Sequence, residues 1–144
     1  MKAVLQRVKE AKVVVAGEVI GKIGRGVLVF VGVEKGDVLA NAEAMVKKIT
    51  QLRIFPGPAG ERMDRAAFEV DAEYLLVSQF TLAADLQKGN RPSFDNAASP
   101  EEAEVLYNTF VDLMKKGPCR VATGKFRAMM EVSLVNDGPV TFVL

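Results

Sequence analysis

Residues 1–33 commit this chain to a β-sheet before anything else can be read from it. Segments 3–8, 11–15, 18–23 and 27–33 are rich in β-branched residues and are parted by short turns at Gly17 and Gly24-Arg25-Gly26. That pattern predicts an antiparallel meander. Gly21, Gly24 and Gly26 lack the spacing of a phosphate-binding loop and no helix follows them, so they read as turn glycines. A chain of 144 residues is expected to form one domain, 1–144, and to bury roughly 68–70% of its extended surface without staples. Apolar residues make up 49% of it against 26% charged, which leaves apolar surface for a subunit interface.

Two helices follow from spacing. Asp37 is placed to cap a helix running to about residue 52, with Val38, Ala42, Met45, Ile49 and Leu52 on its core face. Ser99-Pro100-Glu101-Glu102 forms a capping box with proline at the first helical position, and Ala103, Leu106, Tyr107, Phe110 and Leu113 make the buried face. Lys115 and Lys116 suit the negative end of that helix, and Gly117-Pro118 stops it. Residues 74–82 read as a mostly buried strand, 83–98 as a polar loop, and 129–135 and 140–144 as two last strands bracketing Gly138-Pro139. The expected class is α/β or α+β: a mixed, largely antiparallel sheet with two main helices on one side.

Absences narrow the chemistry. The chain has no histidine, one cysteine and no tryptophan, so any catalysis runs without an imidazole base. Asp64, Asp71 and Glu73 have no partner at a diagnostic spacing for acid–base work. Zinc sites are usually built from His and Cys, so neither a metal nor a cofactor is expected. Cys119 has no partner for a disulfide, no apolar run is long enough to span a bilayer, and the first residues already alternate like a strand. The expectation is a soluble protein of a reducing compartment with no targeting leader. A net charge of +1 provides no global basic field, so any RNA contact must be local.

Three segments could carry function. Ser78-Gln79-Phe80-Thr81 puts two hydroxyls, a carboxamide and an aromatic ring at the end of a hydrophobic strand. Hydroxyl nucleophiles need a base, and the competing reading is that these side chains only satisfy backbone groups. Asn136-Asp137-Gly138-Pro139 is either an ordinary turn or a strand-edge device whose carbonyl oxygens, with a cis Gly-Pro bond, could hold an ammonium group. Gln87-Lys88-Gly89-Asn90-Arg91-Pro92-Ser93-Phe94 has the residues for phosphate contacts and base stacking, or is a solvated surface loop.

Taken jointly and in order, these segments resemble the D-aminoacyl-tRNA deacylase family over the full length of the chain. The resemblance also rests on Gln6-Arg7-Val8, Gly17-Glu18-Val19-Ile20-Gly21 with Ile23-Gly24, Leu52-Arg53-Ile54-Phe55, and Val135 to Thr141. A sister family carries Pro-Gln-Ala-Thr in place of Ser78-Gln79-Phe80-Thr81, which sets this chain with the D-specific branch. The resemblance implies a barrel-like sheet and a cytoplasmic homodimer that hydrolyses the ester between a D-amino acid, or glycine, and the terminal adenosine of tRNA. It implies that Gly138-Pro139 is a cis pair entering the partner's pocket as a chiral filter, that Arg7 braces it, and that Phe126 and Met130 line the pocket. Ser78, Gln79, Phe80 and Thr81 would form the catalytic segment. Either Thr81 is a nucleophile, or a water assisted by the adenosine 2′-hydroxyl attacks while N–H groups near Phe80 and Thr81 hold the oxyanion. Lys88, Arg91 and Arg127 are the expected tRNA contacts. One departure stands out: the family usually has Gly-x-Phe-Gly-Ala where this chain has Gly124-Lys125-Phe126-Arg127-Ala128. A non-catalytic tRNA- or DNA-binding module of the same fold is the alternative.

Overall fold

The computed structural model describes residues 1–60, 62–87 and 89–144. In chain order the elements are β1 (Lys2–Val15), β2 (Glu18–Ile23), β3 (Gly26–Gly32), α1 (Leu39–Gln51), β4 (Phe55–Pro56), β5 (Met63–Arg65), β6 (Glu73–Ser78), α2 (Pro100–Lys115), β7 (Val121–Thr123) and β8 (Glu131–Val143). Single 3-10 turns lie at Ala67–Val70 and Phe80–Ala83. The main sheet runs β2-β1-β3-β6-β7, with β8 paired to β1, and β4 and β5 form a separate hairpin. β1 pairs antiparallel with β2, β3 and β8, whereas β3, β6 and β7 run parallel. The sheet is therefore mixed, as expected.

The meander is not formed. Residues 3–8 and 11–15 belong to one strand, because Lys9-Glu10 contains no turn former and the polar pair is absorbed by a shift in register against β8. β1 is then long enough to take β3 along residues 2–8 and β2 along residues 11–15. The sheet curls until β2 lies against β7, where a Cβ at Gly21 would strike the carbonyl oxygen of Thr123. Arg120 ties the same closure by donating to the Lys22 carbonyl at 3.1 Å and to Glu73 at 2.8 Å. The result is a nearly closed, barrel-like sheet.

Strand alternation divides the interior in two. Val27, Val29 and Val31 of β3 with Tyr74 and Leu76 of β6 face the helices and pack on Ala42 and Ile49 of α1 and Phe110 and Met114 of α2. Leu28, Leu75 and Val77 point the other way, into the curl of the sheet with Val8, Val13 and Ile23. Because both faces are buried, these parallel strands read as continuous apolar runs.

Several boundaries differ from the sequence expectation. α1 begins at Leu39 without Asp37 as its cap, since both oxygens of Asp37 are engaged: Oδ1 by the Met1 ammonium at 2.6 Å and Oδ2 by the Glu34 N–H at 2.7 Å. Residues 74–82 do not continue as a strand. β6 ends at Ser78, and the Leu82 N–H turns back to the Gln79 carbonyl at 3.2 Å. Residues 129–135 and 140–144 are not two strands around a turn, for both halves of β8 pair with the same strand, β1. α2 starts as expected, with the Ser99 hydroxyl accepting from the Glu102 N–H at 3.3 Å.

Candidate active site

The parallel pair β3 and β6 ends beside the start of α2, and at these carboxyl ends the structure opens a cavity of about 530 Å³. Crevices at strand carboxyl ends are a general location for ligands in α/β sheets. Ser78, Gln79 and Phe80 form one wall, Ala103 and Tyr107 of α2 another, and Phe126, Arg127 and Met130 a third. The sequence therefore named residues on two of the three walls.

The third wall is positioned by a buried junction. The Tyr107 hydroxyl donates to the Leu76 carbonyl at 3.0 Å, and the Gly124 N–H donates to the same oxygen at 2.8 Å. Tyr107 then meets Phe126 with ring centroids 5.8 Å apart at 34°. Burial pushes the Tyr107 phenol up, so it stays protonated as a donor. Gly124 allows a close approach: a Cβ there would come within 2.8 Å of the Met130 sulfur, which would have to shift. Tyr107 was legible only as a helix-face core residue, and its cavity role carried no separate sequence signal.

Thr81 lies on the exposed side of the 3-10 turn, outside the cavity lining, and its hydroxyl oxygen accepts from the Gln79 carboxamide. No base stands in that hydrogen bond. Phe80 and Thr81 open the turn, so their N–H groups have no partner within it. Arg127 is exposed at the rim with φ 59°, in the left-handed region, and its guanidinium lies 3.6 Å from Glu101. Arg91 is exposed on the loop above Asp85 and Ser93, and Lys88 lies outside the described residues.

Arg7, Gly138 and Pro139 do not line this cavity. Gln6 faces Thr141 and Val8 faces Asn136, so Arg7 alone on β1 is met by residues 137–140, which bulge out of the edge strand. The Gly138–Pro139 peptide in this bulge is cis, and both residues are exposed. Two clamps hold it. Arg7, 8% exposed, donates from Nε to the Asp137 carbonyl at 2.9 Å and from Nη1 to the Ile54 carbonyl at 2.6 Å. From the other end, the Asn136 carboxamide oxygen accepts from the Val140 N–H at 2.7 Å. Asn136 was read only as a turn former.

Among the described residues no helix is long and apolar enough to cross a membrane, and no group of three or more His, Cys, Asp or Glu could hold a metal ion.

These features define a small α/β domain with an apolar cavity at its strand ends, rimmed by hydroxyl, amide and aromatic groups and lacking any imidazole. The family model described as D-Tyr-tRNA(Tyr) deacylase matches residues 4–144. A D-aminoacyl-tRNA deacylase from Geobacter sp. (strain M21) is 58% identical over 144 residues, covering 100% of this chain and 96% of that protein. The solved structure of a c-Myc DNA unwinding element binding protein superimposes with TM-score 0.95 at 44% identity, over 100% of this chain and 97% of that one. One described as a probable eukaryotic D-amino acid tRNA deacylase shares the fold, with TM-score 0.82 at 17% identity, over 99% and 97% of the two chains. The chain belongs to the D-Tyr-tRNA(Tyr) deacylase family.

Proposed function

We propose that this protein hydrolyses the ester of D-aminoacyl-tRNA, and of glycyl-tRNA, to free tRNA and amino acid, a chiral proofreading step in translation carried out in the cytoplasm. The observation that carries this reading is the cavity itself: an aromatic and apolar chamber fit for a nucleoside, with Ser78, Gln79 and Phe80 at one wall, in a chain of this family. The terminal adenosine and the aminoacyl group enter it against Phe126 and Met130. A water, assisted by the adenosine 2′-hydroxyl, attacks the ester carbonyl carbon. The oxyanion is held by the free N–H groups of Phe80 and Thr81, and the carbonyl–O3′ bond breaks as the 3′-oxygen takes up the proton. One such donor is worth roughly 10²–10³ in rate. Thr81 is a hydrogen-bonding support here and not the nucleophile.

Selection for D esters is assigned to the bulge of a second copy. The bulge stands away from its own cavity, and among the described residues β8 pairs with β1 alone while exposing Val135, Phe142 and Val143. Such an edge invites a partner. In the homodimer, Gly138-Pro139 of one subunit closes the cavity of the other, its carbonyls take the substrate ammonium group, and an L side chain strikes this wall while a D side chain points away. Glycine has no side chain to reject. Arg91 and Arg127 contact tRNA at the rim.

The likeness to a c-Myc DNA unwinding element binding protein favours a second reading, a nucleic-acid-binding module without turnover. Incubating the purified protein with D-tyrosyl-tRNA separates the two: release of free D-tyrosine well above the buffer rate supports the deacylase, and binding without release supports the module.

A further inference from the structure

Phe80 and Phe94 touch, with ring centroids 5.0 Å apart at 59°, yet remain 57% and 41% exposed. Phe80 also lines the cavity, so apolar surface continues from the chamber through its mouth to Phe94. Phe94 is held firmly. Asp85 and Ser93 exchange both backbone hydrogen bonds, at 2.8 and 3.1 Å, closing the neck of the loop immediately before it, and the Phe94 carbonyl accepts from the Ala97 N–H at 3.0 Å. In the single chain this aromatic pair is open to water at the mouth of a ligand cavity, and such a patch marks a contact surface.

We propose that the Phe80–Phe94 pair is a stacking platform for an unpaired nucleobase, that of the nucleotide immediately 5′ of the terminal adenosine. The inference rests on aminoacyl-tRNA as the substrate. A polynucleotide whose 3′ end fills the cavity has to leave through the mouth, and its next base emerges within one nucleotide of Phe80. The tilted rings do not cover each other face to face, so a base laid on them completes a stack. Among the described residues the opposite rim offers no exposed aromatic pair: Met129, 92% exposed, has no ring, and Arg127 is paired with Glu101. Among the described residues of this loop Arg91 is offset by Asp85 and Asp95, so charge there adds a phosphate contact while the base itself meets the rings. Stacking, which is tolerant of base identity, therefore carries the contact.

The test compares wild type, Phe94→Ala and Phe94→Tyr on two substrates, D-tyrosyl-tRNA and the D-tyrosyl ester of adenosine, which lacks the stacked nucleotide. Loss of one base–aromatic stack predicts a fall in kcat/KM for Phe94→Ala of about tenfold to a hundredfold on the tRNA ester, all in KM. The adenosine ester should be cleaved at the wild-type rate, and Phe94→Tyr should restore the tRNA reaction. Uncharged tRNA with 2-aminopurine as the penultimate base should lose fluorescence on binding wild type but not Phe94→Ala. Equal losses on both esters, no loss on either, or conversion of Phe94→Ala to a monomer would each overturn the platform. If wild type cleaves neither ester, the substrate reading fails, and the 2-aminopurine signal then decides the platform by itself.

Discussion

Arg7 donates from Nε to the main-chain carbonyl of Asp137 at 2.9 Å, and so fixes the residue that precedes Gly138. Its other donor, Nη1, reaches the buried Ile54 carbonyl at 2.6 Å, joining the bulge of the edge strand to the segment that leads into β4. Removing the side chain takes the donor from the buried Ile54 carbonyl and from the part-buried Asp137 carbonyl. Arg7→Ala is expected to lower stability by about 1–3 kcal/mol, the cost of unsatisfied buried acceptors, measured by urea denaturation. Because the bulge then loses one of its two clamps, the preference for D over L esters should narrow as well.

Gly138 has φ 148°, and a Cβ on it would lie 2.6 Å from Val140 Cγ2 and 2.9 Å from the Val140 nitrogen. Gly138→Ala must therefore reshape the bulge, at a cost of about 1–3 kcal/mol. The D-to-L rate ratio is expected to fall further than the melting temperature would suggest, because the change lies in the exposed segment and not in either core.

Thr81 accepts a hydrogen bond from Gln79 and lies outside the cavity lining. A hydroxyl with no base beside it is a weak nucleophile, so Thr81→Ala should keep kcat within about tenfold of wild type, far short of the loss expected from removing a covalent nucleophile. Trapping an acyl-threonine after acid quench would overturn this assignment.

Arg127 occupies a backbone conformation, φ 59°, that glycine adopts without penalty. That conformation accounts for the glycine usual in the family at this position, and nothing in the structure explains the arginine that replaces it here. The ion pair with Glu101 is exposed and offsets little of the strain. Arg127→Gly is expected to raise stability by about 0.5–1 kcal/mol, and a urea midpoint below wild type would contradict it.

Burial raises the phenols of Tyr74 and Tyr107 above their ordinary 10.0, with the charge of Cys119 adding at Tyr74. The folded state holds these protons more tightly than the unfolded state does. Their contribution is complete below about pH 10 and declines as pH rises past it. Thermal midpoints should fall steeply on the alkaline side of pH 10, and less steeply in Tyr107→Phe.

How far the sequence could be read depended on the range of the interactions. The capping box at Ser99 and the apolar runs of β3 and β6 are local and were legible. Lys9-Glu10 looked like a break between strands because a bulge and a turn leave the same polar mark. Gly138-Pro139 looked like a turn for a related reason: turn formers also serve inside an edge strand, and only pairing of both halves with β1 tells the cases apart. Asp37 lost its capping role to Met1, and Tyr107 gained a cavity wall by bonding to Leu76, both through contacts invisible to periodicity. Ser78, Gln79, Phe80, Phe126 and Met130 were named in advance and meet at one cavity, whereas Arg7 and Gly138-Pro139 meet one another away from it.

The central claim is that this cavity cleaves the ester of a D-amino acid and refuses its mirror image. Its most direct test is the initial rate of deacylation of D-tyrosyl-tRNA and L-tyrosyl-tRNA by the same preparation, side by side. The account predicts rapid loss of the D ester with the L ester at the buffer rate. Equal cleavage of both, or of neither, would contradict it.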